Sequence, residues 1–237
     1  MATMQNSLTM EKSGSRVGAV AAIAGAVLMF VGTLLHPSSA DPNNAQAAFA
    51  EYAAFGPWVA VHMTQLSGVV LLMAALVLLW RRLAQGRGAE WAALGLAGAV
   101  ATIALYCMLQ SVDGIALKFM VGSWSAATEP DKSMLFDATL AVRRIEIGLS
   151  ATSCLLSGAT AMVYGIALWI DGRAPRWLCV LAVVGGVLSI FAGGVIAYTG
   201  FSDLELDVNM VASALLLIWM LAVGVYAWRR ASFWRLA

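Results

Sequence analysis

Six stretches of about 20 predominantly apolar residues dominate this chain, at 17–36, 58–80, 91–110, 147–170, 177–198 and 208–228. A bilayer hydrocarbon core of roughly 30 Å needs about 20 helical residues at about 1.5 Å each. In lipid every backbone N–H and C=O must be satisfied within the segment, so apolar stretches of this length fold as helices. The expected fold class is all-α: a polytopic bundle of six transmembrane helices, joined as three helical hairpins. Composition agrees, with 61% hydrophobic and 11% charged residues against about 25% charged in soluble domains. The spans use most of the 237 residues, which leaves no room for a separate soluble catalytic domain. Nothing in this composition suits nucleic-acid binding, which calls for a basic face.

Charge orients the bundle. Lys12, Arg16, Arg81, Arg82, Arg87, Arg173, Arg176, Arg229, Arg230 and Arg235 fall at the two termini and in the two short connections, whereas ten of the thirteen acids and both histidines fall at the opposite helix ends. Lys and Arg concentrate on the cytoplasmic side, so both termini are expected inside. Trp80, Trp91, Trp169, Trp177 and Trp228 mark the same boundary, as an interfacial aromatic belt does. The domain reading is a cytoplasmic segment 1–16, one transmembrane domain 17–230 and a cytoplasmic tail 231–237, with external loops at about 37–57, 113–144 and 199–207. The first apolar run precedes Ser38-Ser39-Ala40, which resembles a signal-peptidase site. At about 19 residues it exceeds the roughly 7–15 of a signal h-region, and retention as a membrane helix is expected.

Within the external segments, Asp41-Pro42-Asn43-Asn44 reads as a turn followed by a short amphipathic helix at 45–55. Thr128-Glu129-Pro130-Asp131 reads as a helix start, with Pro and acids in the first turn. The fourth long helix therefore begins near Asp131 and projects beyond the membrane.

Small residues set the packing seams. Gly18, Gly25 and Gly32 on the first span, and Gly186, Gly193 and Gly200 on the fifth, repeat every seven residues. Close approach over such rows is how helices associate in lipid, either within the chain or against a second copy or a membrane partner. The heptads and the repeated Trp-plus-Arg endings also fit a weak internal duplication. Cys107, Cys154 and Cys179 form no C-x-x-C pair and read as small apolar fillers.

Depth counted from the tryptophan belt places the chemistry. His62, Gln65, Gln110, Asp113, Arg143 and Glu146 share one outer level, and their spacings put them in pairs on common helix faces. The expectation is a one-sided polar pocket that binds a small molecule, lipid headgroup or cofactor. His36 and His62 are candidate ligands for a b-type haem or, with Met63, Met120 or Met210, for copper. His36 also reads simply as the end of the first helix before Pro37. A membrane-embedded enzyme using His62 and Glu146, with Ser150 and Ser153 as nucleophiles, can be drawn, although no G-x-S-x-G or H-E-x-x-H accompanies it. An accessory subunit of a membrane complex is the alternative from another class. The inner half holds no charge at mid-depth, which disfavours a proton or ion pump.

At Leu34-Leu35-His36-Pro37, the acidic segment after it, Trp58, His62 and 143–147, the chain resembles small bacterial six-helix membrane proteins. The resemblance implies a fold and a bacterial inner-membrane location, and it carries no catalytic residue with it.

Overall fold

The computed structural model describes residues 2–229, with side chains from Arg16 onward. The tail 231–237, Arg230 and Arg235, and the side chain of Lys12 lie outside the described residues. Among these there are eight α-helices and one π-helical segment: α1 (Ala2–Leu34), α2 (Ala45–Ala54), α3 (Trp58–Leu83), α4 (Ala89–Gln110), the π segment (Ser111–Leu117), α5 (Lys118–Ala126), α6 (Asp131–Asp171), α7 (Arg176–Thr199) and α8 (Asp203–Arg229). Six helical spans are long and apolar enough to cross a membrane.

The long helices close into a ring. In order around it, α1 packs on α3, α3 on α4, α4 on α6, α6 on α7, α7 on α8, and α8 returns to α1. Three of these contacts, α1 with α3, α4 with α6 and α7 with α8, are the expected hairpins. Inside lie Ala22, Leu76, Leu79, Tyr164, Leu168, Leu178, Ala182 and Trp219. At mid-depth the polar groups are uncharged: Tyr164 donates to the Leu76 carbonyl at 2.8 Å and Ser189 to that of Cys154 at 2.9 Å, whereas the buried charges Arg82 and Asp171 lie at the basic end. Outside, Val20, Phe30, Leu34, Val184, Phe191 and Ile218 are among many exposed apolar side chains. So large an apolar surface belongs in lipid rather than water.

Glycine supplies the closest seams, and they are internal. A Cβ on Gly25 would stand 2.8 Å from the Gly68 carbonyl oxygen, and one on Gly68 would stand 2.7 Å from the Met29 nitrogen, so α1 and α3 touch backbone to backbone. Gly186 and Gly193 lie equally close to α6, against Gly158 and Ala151. Gly25, Gly32, Gly186 and Gly193 of the expected glycine rows thus pack within the chain. Gly200 instead ends α7 with φ +67, a conformation that only glycine adopts without strain.

The basic end is tied by short links. Arg173 donates to both carboxylate oxygens of Asp171 at 2.7 Å. Gly172, at φ 75, terminates α6 in the left-handed conformation, the usual helix C-cap. Arg16 stands over the Trp228 ring and Arg176 over Trp169. Two of the five tryptophans of the expected belt, Trp228 and Trp169, are therefore paired with basic side chains.

The opposite end differs from its sequence reading. The external segment 113–144 is largely helical: α6 begins at Asp131, where its start is expected, but the third span also runs on through the π segment and α5 to Ala126, so that only 127–130 separates the two. Reading stops too early here because Asp113 and Lys118 interrupt the apolar run once a bilayer's length has been counted. At about 60 Å for 41 residues, α6 extends well past a hydrocarbon core. Its first turns pack with α2 and α5 around Phe49, Trp58, Leu117, Val121, Trp124 and Phe136. This second hydrophobic core forms a cap over one end of the bundle. Lys118 fastens it by donating to the carbonyls of Tyr52, Ala53 and Phe55 at 2.6, 3.0 and 2.9 Å, which closes the C-terminus of α2.

Candidate functional site

Beneath the cap, four elements bring polar side chains together. The loop after α1 brings His36, the first two turns of α3 bring Trp58, His62 and Gln65, the π segment brings Asp113, and α6 brings Arg143 and Glu146. The loop holding His36 is set by α2, where Glu51 accepts the Ser39 and Ala40 amides at 3.0 and 3.1 Å.

Gly114 sets the distance between the π segment and α3. A Cβ there would lie 2.7 Å from His62 Cβ, so only glycine allows Asp113 to come this close. Trp58 locks the approach, its indole N–H donating to the Asp113 carbonyl at 3.0 Å. A π-helical turn inserted into an otherwise α-helical span is itself a frequent mark of a functional position.

His62 is fully buried. Its Nδ1 is 2.8 Å from the Trp58 carbonyl oxygen, and its Nε2 is 3.1 Å from Asp113 Oδ2. A carbonyl only accepts, so Nδ1 bears the proton and Nε2 is left to face the carboxylate. A neutral imidazole and an ionised carboxylate would present lone pairs to each other, so a cation, either a proton or a metal ion, must lie between them. His36 repeats the pattern, with Nδ1 on the Pro37 carbonyl at 2.8 Å. Its ring lies 5.1 Å from that of His62 and 5.1 Å from that of Trp58. Burial is the main influence on His36, pulling its pKa below the usual histidine value, and the Asp113 carboxylate works in the opposite direction.

Gln65 and Gln110 extend the cluster. The amide of Gln110 donates to Gln65 Oε1 at 3.4 Å, and both are buried. Two acceptors stay buried without a partner: Gln110 Oε1 and Asp113 Oδ1. Such groups are few in native proteins and mark an unfilled role when they cluster.

Arg143 and Glu146 form a separate unit. One guanidinium nitrogen of Arg143 reaches both Glu146 oxygens at 2.6 and 2.8 Å, and the other donates to the Tyr52 hydroxyl at 3.2 Å. Phe201 covers the guanidinium at 4.6 Å. Tyr52, its pKa pushed up to about 12 chiefly by burial, lies tilted against Trp58 with ring centroids 4.4 Å apart. The aromatic pair bridges the ion pair to the histidines.

All six residues expected at one level are therefore found at the same end, in two groups rather than around one open pocket. Two surface clefts, of about 270 and 350 Å³, lie elsewhere, at Gly165, Ile166 and Trp169 and at Val20, Ile23 and Trp228. His36, which also reads as a mere helix end, belongs to the cluster. Tyr52 and Trp58 were not among the expected site residues; the only sequence signal was two aromatics on either side of Gly56-Pro57, close to His62. The expected haem fits poorly. Axial imidazoles sit on opposite faces of a porphyrin, and these two rings, edge to face at 5.1 Å, leave no room for one between them. Of the thioethers considered for copper, Met210 lies exposed on α8, and the group that joins the two histidines is Asp113. The drawn acyl-transfer site also lacks its contacts: Glu146 is engaged by Arg143, His62 faces Trp58 and Asp113, and Ser153 Oγ is buried with no partner.

The chain is thus a six-span helical bundle with a capped histidine–aspartate cluster at one end. No family model, curated protein or solved structure matches it.

Proposed function

We propose that the protein is a multi-pass component of a bacterial cytoplasmic membrane that binds a small ligand or cofactor at its non-cytoplasmic end, in the cluster of His36, His62, Gln65, Gln110 and Asp113. One observation underlies this reading: two histidines converge with Asp113 while Gln110 Oε1 and Asp113 Oδ1 stay buried and unpartnered. A purely structural cluster would satisfy those acceptors, since each unpartnered buried group costs about 1–3 kcal/mol. The orientation follows from the basic residues gathered at the other end. The lack of charged side chains at mid-depth supports binding at one face rather than passage across the membrane.

The test is native mass spectrometry of the protein extracted in mild detergent without chelator. A bound species should be retained by the wild type and lost from His62→Ala. A bare polypeptide mass for the wild type, even after incubation with a total membrane extract and its metal ions, contradicts the proposal.

A further inference from the structure

We infer that His36, His62 and Asp113 hold a divalent first-row transition-metal ion. This rests on the ligand-site reading above and names its occupant. One nitrogen of each imidazole and one Asp113 oxygen all lie within 4.8 Å of one another. Both histidines place Nδ1 on a backbone carbonyl, the arrangement that fixes the tautomer of metal-binding histidines and leaves Nε2 for the ion. The second Asp113 oxygen is buried with no partner.

The dimensions fit an ion. With metal–ligand bonds of about 2.1 Å, the 3.1 Å between His62 Nε2 and Asp113 Oδ2 subtends about 95°, close to the right angle of an octahedral site. The cluster side chains touch one another directly, so the space between them suits an ion and its waters better than an organic molecule. Two imidazoles and a carboxylate with no thiolate among them favour zinc, iron, cobalt, nickel or manganese over copper(I).

Three protein ligands leave at least one position open. A divalent cation balanced by a single carboxylate keeps net positive charge there, so the open position takes water or an anionic oxygen ligand. Gln110 Oε1, on the turn before Asp113 and close to Gly114, supplies an acceptor for a metal-bound water.

The test titrates chelator-stripped, detergent-purified protein with Co²⁺ alone, followed by visible ligand-field bands and by metal content after gel filtration, with Zn²⁺ as competitor. About one Co²⁺ per chain is expected, displaced by Zn²⁺, with affinity lowered at least about 10-fold in His36→Gln, His62→Gln and Asp113→Asn. Gel filtration and circular dichroism establish which variants fold. His36→Gln, on a loop, remains informative if the buried substitutions do not. Failure of the wild type to bind Co²⁺ or Zn²⁺ stoichiometrically, or unchanged affinity in the folded variants, overturns the inference. An organic species retained in native mass spectra by a protein that binds no metal overturns the metal and leaves the ligand site standing; a bare mass removes both.

Discussion

His62 Nε2 and Asp113 Oδ2 face each other at 3.1 Å across the junction of α3 with a π-helical turn. Fifty-one residues separate the two positions, and two devices hold them together: the indole of Trp58 on the Asp113 carbonyl and the missing side chain at Gly114. The contact depends on backbone approach more than on the two side chains themselves.

Gly114→Ala should therefore act on the site through the backbone. Its Cβ would meet His62 Cβ at 2.7 Å, and overpacking of this kind costs about 1–3 kcal/mol. The expected result is a lower melting temperature in detergent together with weaker Co²⁺ binding, although no ligand atom has been changed. Unaltered binding would mean that the π segment can shift without moving Asp113.

The α1–α3 seam gives a second contrast. Gly68→Ala drives a methyl to 2.7 Å from the Met29 nitrogen and 2.9 Å from the Gly25 oxygen, whereas a Cβ on Gly148 meets nothing within 4 Å. Thermal melts should show Gly68→Ala losing about 1–3 kcal/mol and Gly148→Ala gaining up to about 1 kcal/mol from helix propensity. Equal effects would argue against backbone contact between α1 and α3.

Breaking the buried ion pair should cost more than removing it. Arg143→Ala leaves Glu146, 3% exposed, as an unpaired buried carboxylate, a loss of about 3–5 kcal/mol. Arg143→Met combined with Glu146→Gln removes both charges and should recover much of that. Chemical denaturation of the single and double variants measures the difference. A double variant no better than the single would assign Arg143 its weight through Tyr52 and Phe201 instead.

Orientation is open to direct labelling. In a cysteine-free background, a membrane-impermeant maleimide added to intact cells should label Ser39→Cys, at an exposed position beside the cap, and should spare Arg176→Cys until the membrane is opened. The reverse pattern would place the histidine cluster in the cytoplasm.

Much of this architecture is legible in the sequence because lipid imposes a simple rule: length and apolarity give the spans, and the basic residues give their direction. The shared level of His62, Gln65, Gln110, Asp113, Arg143 and Glu146 follows from the same counting. What the counting misses is lateral. Nothing in Ser111–Leu117 announces a π turn, since its polar Ser111 and Asp113 read equally well as a loop. His36 lies past the end of α1 and is turned into the cluster by Glu51, a residue on another helix whose partners are backbone amides. Likewise α5 is too polar to count as membrane and too short to stand alone, and it packs with α2, whereas the start of α6 at Asp131 is legible in the Glu129-Pro130-Asp131 signal.

Anomalous diffraction from crystals of the Zn²⁺- or Co²⁺-loaded protein tests the central claim most directly. One strong peak is expected beneath the α2–α5 cap, with His36, His62 and Asp113 as ligands at about 2.0–2.2 Å. A peak at any other set of residues, or none at full metal occupancy in solution, would contradict it.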